Sequence, residues 1–269
     1  MTTPDPLQKN NVTLLGRDDA LRTLIFAHGF GTDQTVWRAV AEPFLTDSRV
    51  LLFDNVGAGG ADPTAYSAIR YDGLDAYVDD LLDIRAGLDS RPTMLCGHSL
   101  GGLVSLKAAS RAPEFFSGLI LICASPRYLN DGDYHGGFEQ AELDAMYEDI
   151  QNNYYAWASG FAPVAMRNDD RPELAENFAT TLQSLRPDIA LSVLRMAMQS
   201  DLRDLLPTVR LPTLIIQSHH DIAVPMEVGE YLHAHIPGSQ LKIVEATGHL
   251  PHVSAPGDVI TAIREFLDG

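Results

Sequence analysis

Gly97-His98-Ser99-Leu100-Gly101-Gly102 lies between the apolar run Thr93–Gly97, which reads as a buried strand, and the helical pattern Ser99–Ala112. In a chain with 21 glycines the five-residue pattern G-x-S-x-G is a modest hint by itself, and its setting gives it weight. A strand that turns sharply into a helix exposes the residue at the turn, and only small flanking residues avoid collision there. Ser99 is therefore the candidate nucleophile. The bland reading is a Gly-rich turn with an incidental serine.

A serine hydroxyl attacks poorly at neutral pH, so it needs a base within reach and a carboxylate to hold that base in the right tautomer. After the run Thr213–Gln217 comes Ser218-His219-His220-Asp221, which offers Asp221 as the acid. The run Leu241–Glu245 is followed by Ala246-Thr247-Gly248-His249-Leu250-Pro251-His252, which offers His249 as the base and leaves His252 as its rival. The order Ser99, Asp221, His249 is that of α/β-hydrolase triads and differs from the chymotrypsin and subtilisin orders. Directly after the strand Thr23–Ala27, the segment His28-Gly29-Phe30-Gly31 can aim one backbone N–H at a developing oxyanion, and the residue after the nucleophile supplies a second. Phe30 and Leu100 are the two nominees. Asp54-Asn55-Val56-Gly57-Ala58-Gly59-Gly60 has glycines but neither a P-loop lysine nor G-x-G-x-x-G spacing, which argues against nucleotide binding. His219-His220-Asp221, His233/His235 and His249/His252 resemble metal-ligand pairs, yet no HExxH motif or Cys-rich set accompanies them, so no metal is expected.

Further strand-like runs at Val12–Leu15, Val50–Asp54 and Gly118–Cys123 alternate with helical patterns at Asp75–Leu88 and Asp258–Leu267. That alternation predicts a mostly parallel, doubly wound α/β sheet. It stops after Cys123 and resumes at Pro212. The stretch between carries helical periods at Glu139–Asn152, Pro172–Ser184 and Asp188–Gln199 and nine of the 21 aromatic residues. An aromatic helical insertion between two sheet strands reads as a lid, so the division is 1–124 with 208–269 for the core and 125–207 for the lid. The 269 residues carry a net charge of −17, and 14 Asp and Glu against six Arg place nearly half of it on the insertion. A repulsive field of this kind disfavours nucleic acid, anionic membranes and anionic substrates. No apolar stretch approaches the roughly 18 residues of a membrane span, and the N-terminus lacks the pattern of a signal peptide. Cys96 and Cys123 sit in apolar runs and read as buried free thiols, which together with the other signs points to a cytoplasmic protein.

His28-Gly29-Phe30-Gly31, Leu51–Gly59, Gly97–Gly102, Ser125–Asp131, Gly136–Gln140, Trp157–Pro163, Arg186–Val193 and Gly248–His252 together resemble the RsbQ-like α/β hydrolases, a family that includes the bacterial stress-signalling hydrolase RsbQ and the plant karrikin and strigolactone receptors. The resemblance runs from about residue 10 to the C-terminus. It implies the α/β-hydrolase fold, a four-helix V-shaped lid over a small hydrophobic pocket, and a Ser99/Asp221/His249 triad. Carried over position by position, it nominates Phe30, Tyr128, Phe138, Trp157, Phe161 and Met198 as pocket-lining residues. Met198 stands where the plant receptors often carry phenylalanine, so ligand identity does not transfer. The expected activity is hydrolysis of a small, largely apolar ester or lactone without a cofactor. The alternative is a slow-turnover ligand sensor acting through a signalling partner protein; a carbon–carbon bond hydrolase, which usually takes acidic diketones, fits the negative charge less well.

Overall fold

A computed structural model of the chain describes residues 5–269. Seven strands, β1 (Thr13–Gly16), β2 (Thr23–Ala27), β3 (Arg49–Leu52), β4 (Thr93–His98), β5 (Gly118–Ile122), β6 (Thr213–His220) and β7 (Gln240–Thr247), form one sheet in the order β1-β3-β2-β4-β5-β6-β7. Only the edge strand β1 pairs antiparallel. Strands covered on both faces read as continuous apolar runs, and β2 and β5 are buried along their whole length. Their side chains alternate between two cores. Ile25 and Leu95 point to the layer with helices Leu74–Ala86 and Leu100–Arg111, while Leu24 and Phe26 point to Trp37, Phe44 and the helix Pro256–Asp268. The mostly parallel, two-sided sheet read from the sequence is the one observed.

Strand ends differ from the sequence reading where side chains or strain take over. β3 stops before Asp54, whose buried carboxylate accepts from Gln34 N–H at 2.7 Å, Asn11 Nδ2 at 2.7 Å and Gly60 N–H at 2.8 Å. The glycines beyond it thus build a pinned turn. β5 ends at Ile122 because Cys123 has φ +43°, and β6 and β7 extend further than predicted, with a register shift between Ser218 and His220 just before Asp221. Irregularities of this kind re-aim side chains beside functional sites.

Between β5 and β6 lie the helices Gln140–Met166, Pro172–Gln183 and Pro187–Gln199. The first is two arms, since Asn153 (φ −158°, ψ 86°) leaves the helical region. Its side-chain Oδ1 accepts Ala156 N–H at 3.1 Å, so Asn153 both stops one arm and caps the next. The predicted helix Glu139–Asn152 is the first arm; the second, Tyr154–Met166, shows no clear apolar period because its aromatics obscure it, and it completes the four helices that the resemblance implies. Among the described residues no helix is long and apolar enough to cross a membrane.

The start of the described chain is locked to the core by charge. Asp80 is buried and receives Lys9 Nζ at 2.6 Å, Tyr71 Oη at 2.7 Å and the more exposed Arg70 Nη2 at 3.2 Å. Removing one member of a buried pair leaves the other charge uncompensated, which typically costs about 3–5 kcal/mol. Asp80→Asn should therefore lower stability by about that amount in urea unfolding. A loss below ~1 kcal/mol would show that Lys9 finds water instead.

Candidate active site

Ser99 occupies the turn from β4 into Leu100–Arg111 with φ +50° and ψ −117°, a conformation that L side chains rarely adopt. Such strain persists only where the surroundings impose it, and it clusters at functional sites. The neighbouring glycines allow it through close approach. A Cβ on Gly97 would fall 2.4 Å from the Gly101 carbonyl oxygen, and one on Gly101 would fall 2.2 Å from that of Ala27.

His249 lies in the loop after β7, with its Nε2 2.8 Å from Ser99 Oγ and its Nδ1 2.8 Å from Asp221 Oδ2. A carboxylate only accepts, so Nδ1 carries the proton and Nε2 is left to accept from the serine hydroxyl. The second carboxylate oxygen of Asp221 accepts Ala223 N–H at 2.8 Å and Val224 N–H at 3.1 Å, which fixes the acid from behind. His249 is itself held at the backbone: its N–H donates to the Ala165 carbonyl at 2.8 Å, at the end of the insertion's second arm. Gly248, at φ +89°, lets that arm come so close that a Cβ would meet the Met166 carbonyl oxygen at 2.0 Å.

The loop after β2 is built by His28. Asn55 N–H donates to His28 Nε2 at 3.0 Å, so the ring proton is on Nδ1, which donates to the Gly29 carbonyl at 2.9 Å. Burial pushes the His28 pKa down and keeps the ring neutral in this role. Among the described residues the N–H groups of Phe30 and Leu100 have no intramolecular acceptor. Both residues border a small cavity of about 20 Å³ shared with Val56, Tyr77, Ile189 and Val193.

Tyr128 is fully buried, and its hydroxyl stands 3.2 Å from Ser99 Oγ. Desolvation pushes its pKa far up, so the phenol stays protonated and can donate to the serine oxygen. Phe138, Trp157, Phe161 and Met198 belong to the apolar cluster that includes Tyr128 and Leu100; Trp157 stacks on Phe161 with centroids 5.0 Å apart. His252, the rival base, is fully buried and stacked on Trp37 at 4.4 Å. It is His249 whose ring stands within hydrogen-bond reach of Ser99 Oγ. His219 and His220 are exposed beside the acid, and both cysteines are buried free thiols. The residues that pattern reading passed over are Ala165, which acts through its backbone, and His98, which stood unread inside the motif.

The family model described as "Alpha/beta hydrolase family" matches residues 24–262. The chain belongs to the alpha/beta hydrolase family. It is 43% identical to the karrikin insensitive 2 receptor CA of Petunia hybrida, covering 97% of this chain and 96% of that one. The strigolactone esterase D14 of Arabidopsis thaliana is 44% identical, with 97% of each chain covered. A solved hydrolase from Oleispira antarctica superposes with a TM-score of 0.94 at 32% identity, over 98% of this chain and 97% of that one.

Proposed function

We propose that the protein is a serine hydrolase of small, largely apolar carboxylic esters or lactones, with Ser99, His249 and Asp221 as its triad. The observation that carries this reading is the unbroken chain of two 2.8 Å contacts from Asp221 through His249 to a strained, buried Ser99. His249 takes the Ser99 proton as Oγ attacks the carbonyl carbon, and Asp221 stabilises the imidazolium that results. The N–H groups of Phe30 and Leu100 receive the negative oxygen; a donor of this kind contributes about 2.7–4 kcal/mol to the transition state. The imidazolium then protonates the leaving oxygen, and water, activated by the same base, clears the acyl group from Ser99. The reaction needs no cofactor. Residues 125–207 act as the lid, with Tyr128, Phe138, Trp157, Phe161 and Met198 supplying apolar surface, and the acidic exterior of the lid favours uncharged substrates.

A fluorophosphonate probe and a panel of p-nitrophenyl esters test this reading together. Covalent labelling should map to Ser99 by peptide mass spectrometry, and a neutral short-chain ester should be turned over at least about tenfold faster than a same-length ester bearing a carboxylate. Absence of labelling, or labelling elsewhere, would overturn it.

One contact favours a second reading, a ligand sensor that turns over slowly. Because the His249 N–H is tied to Ala165 at the end of a lid arm, a ligand that shifts the lid also shifts the base. Two of the relatives compared are named a receptor and an esterase, respectively. A stoichiometric burst of p-nitrophenol followed by slow release, with a partner protein retained only by the ligand-loaded form, would favour the sensor; rapid multiple turnover would favour the metabolic esterase.

A further inference from the structure

His98 is the first variable residue of G-x-S-x-G, and its side chain packs against the loops after β2 and β7. It is buried at the end of β4, and its Nε2 lies 2.8 Å from the backbone carbonyl oxygen of His249, 151 residues further along the chain. A carbonyl only accepts, so Nε2 carries the proton and donates. The same ring lies flush on the backbone of the loop after β2: a Cβ on Gly29 would sit 2.5 Å from His98 Nδ1 and 3.0 Å from its Cε1. Behind it, His252 packs at a centroid distance of 4.3 Å and is in turn stacked on Trp37. His98 thus touches the loop that presents Phe30, precedes the nucleophile, and holds the main chain of the base.

We propose that His98 is a positioning residue for His249, fixing the height of its backbone so that Nε2 stays within hydrogen-bond reach of Ser99. This rests on the triad reading above. The His249 backbone has two polar groups. Ala165 accepts from the N–H and His98 donates to the carbonyl, so losing the His98 donor leaves the main chain of His249 itself held by its N–H alone. Burial and the neighbouring His249 and His252 push the His98 pKa well below the ordinary histidine value, so the donor tautomer persists through the neutral range.

The test compares His98→Phe, which keeps a ring but loses the donor, with His98→Gln, whose amide nitrogen can occupy the Nε2 position. Displacing a catalytic group by about 1 Å can cost on the order of 100-fold. The expected result is that His98→Phe lowers kcat on a p-nitrophenyl ester by about 10- to 100-fold with KM changed less than about twofold, slows phosphonate labelling in parallel, and is largely rescued in His98→Gln. Unchanged kcat in His98→Phe, a change in KM alone, or equal loss in both variants would overturn the proposal. Nitrogen-15 NMR of the wild-type histidine rings adds a readout independent of the variants' folding. His98 should be protonated at Nε2 and not titrate between about pH 6 and 8, and a proton on Nδ1 would refute the donor role. Ser99→Ala run alongside separates the two levels. Turnover surviving in it removes the triad itself and the proposal with it, whereas loss in Ser99→Ala beside full kcat in His98→Phe overturns positioning alone.

Discussion

Ser99→Ala is expected to lower kcat on a neutral p-nitrophenyl ester by about 10⁶-fold while leaving KM within a few-fold. In the proposed mechanism nucleophile, base and acid act as one unit. With Oγ gone, His249 has nothing to deprotonate, and what survives is the contribution of the Phe30 and Leu100 N–H groups and of binding, on the order of 10³- to 10⁴-fold over water in other serine hydrolases. For the same reason His249→Ala should cost about as much as Ser99→Ala, and the double variant hardly more. Asp221→Asn should cost less, about 10⁴-fold, because an amide in place of the carboxylate can stabilise the other imidazole tautomer, with the proton on Nε2. Additive losses across these variants, or a Ser99→Ala enzyme within 100-fold of wild type, would mean that the three residues do not share one reaction.

A large effect on stability is also expected from a single methyl group. Gly101→Ala would place a Cβ 2.2 Å from the Ala27 carbonyl oxygen, 2.6 Å from its carbon and 2.6 Å from the His28 carbonyl oxygen. Every one of these atoms is backbone of β2 or the residue that follows it, so no rotamer change relieves the clash. The helix Leu100–Arg111 must lift off the sheet, and with it the Leu100 N–H and Ser99. Overpacking that side chains can absorb costs about 1–3 kcal/mol; here the loss should be ~3 kcal/mol or more, seen as insoluble protein or a melting temperature lowered by several degrees. By contrast Gly160→Ala meets no atom within 4 Å and serves as the control on an equally helical glycine. A stable, active Gly101→Ala enzyme would show that the elbow has room for the added methyl group.

What could be read from the sequence follows the range of the interactions. Strands buried on both faces announce themselves as apolar runs, and the Gly-rich turn after β4, the acid after β6 and the histidine after β7 are local patterns at strand ends, so each was visible one at a time. The convergence of Ser99, Asp221 and His249 depends on strand order, which no single window contains. Harder still were His98 and Tyr128. One reads only as the filler of a motif and the other only as a pocket-lining residue implied by the resemblance, because the hydrogen bonds they make to His249 and Ser99 span 151 and 29 residues and leave no periodic trace. The second arm of the insertion is hidden from a reading of periodicity for the opposite reason. Asn153 is a strong local cap signal, but the run of Tyr154, Tyr155 and Trp157 after it masks the period that would have flagged a helix.

The bond from His249 N–H to the Ala165 carbonyl, with Gly248 pressed against Met166, makes the insertion part of the scaffold that holds His249. Modular replacement of this region, as practised when substrate pockets are exchanged between related enzymes, must therefore splice after the 165–168 corner or carry Gly248 and His249 along with it. A chimera cut earlier would inherit a new pocket and lose the register of its own histidine, and its failure would be mistaken for a poor choice of substrate.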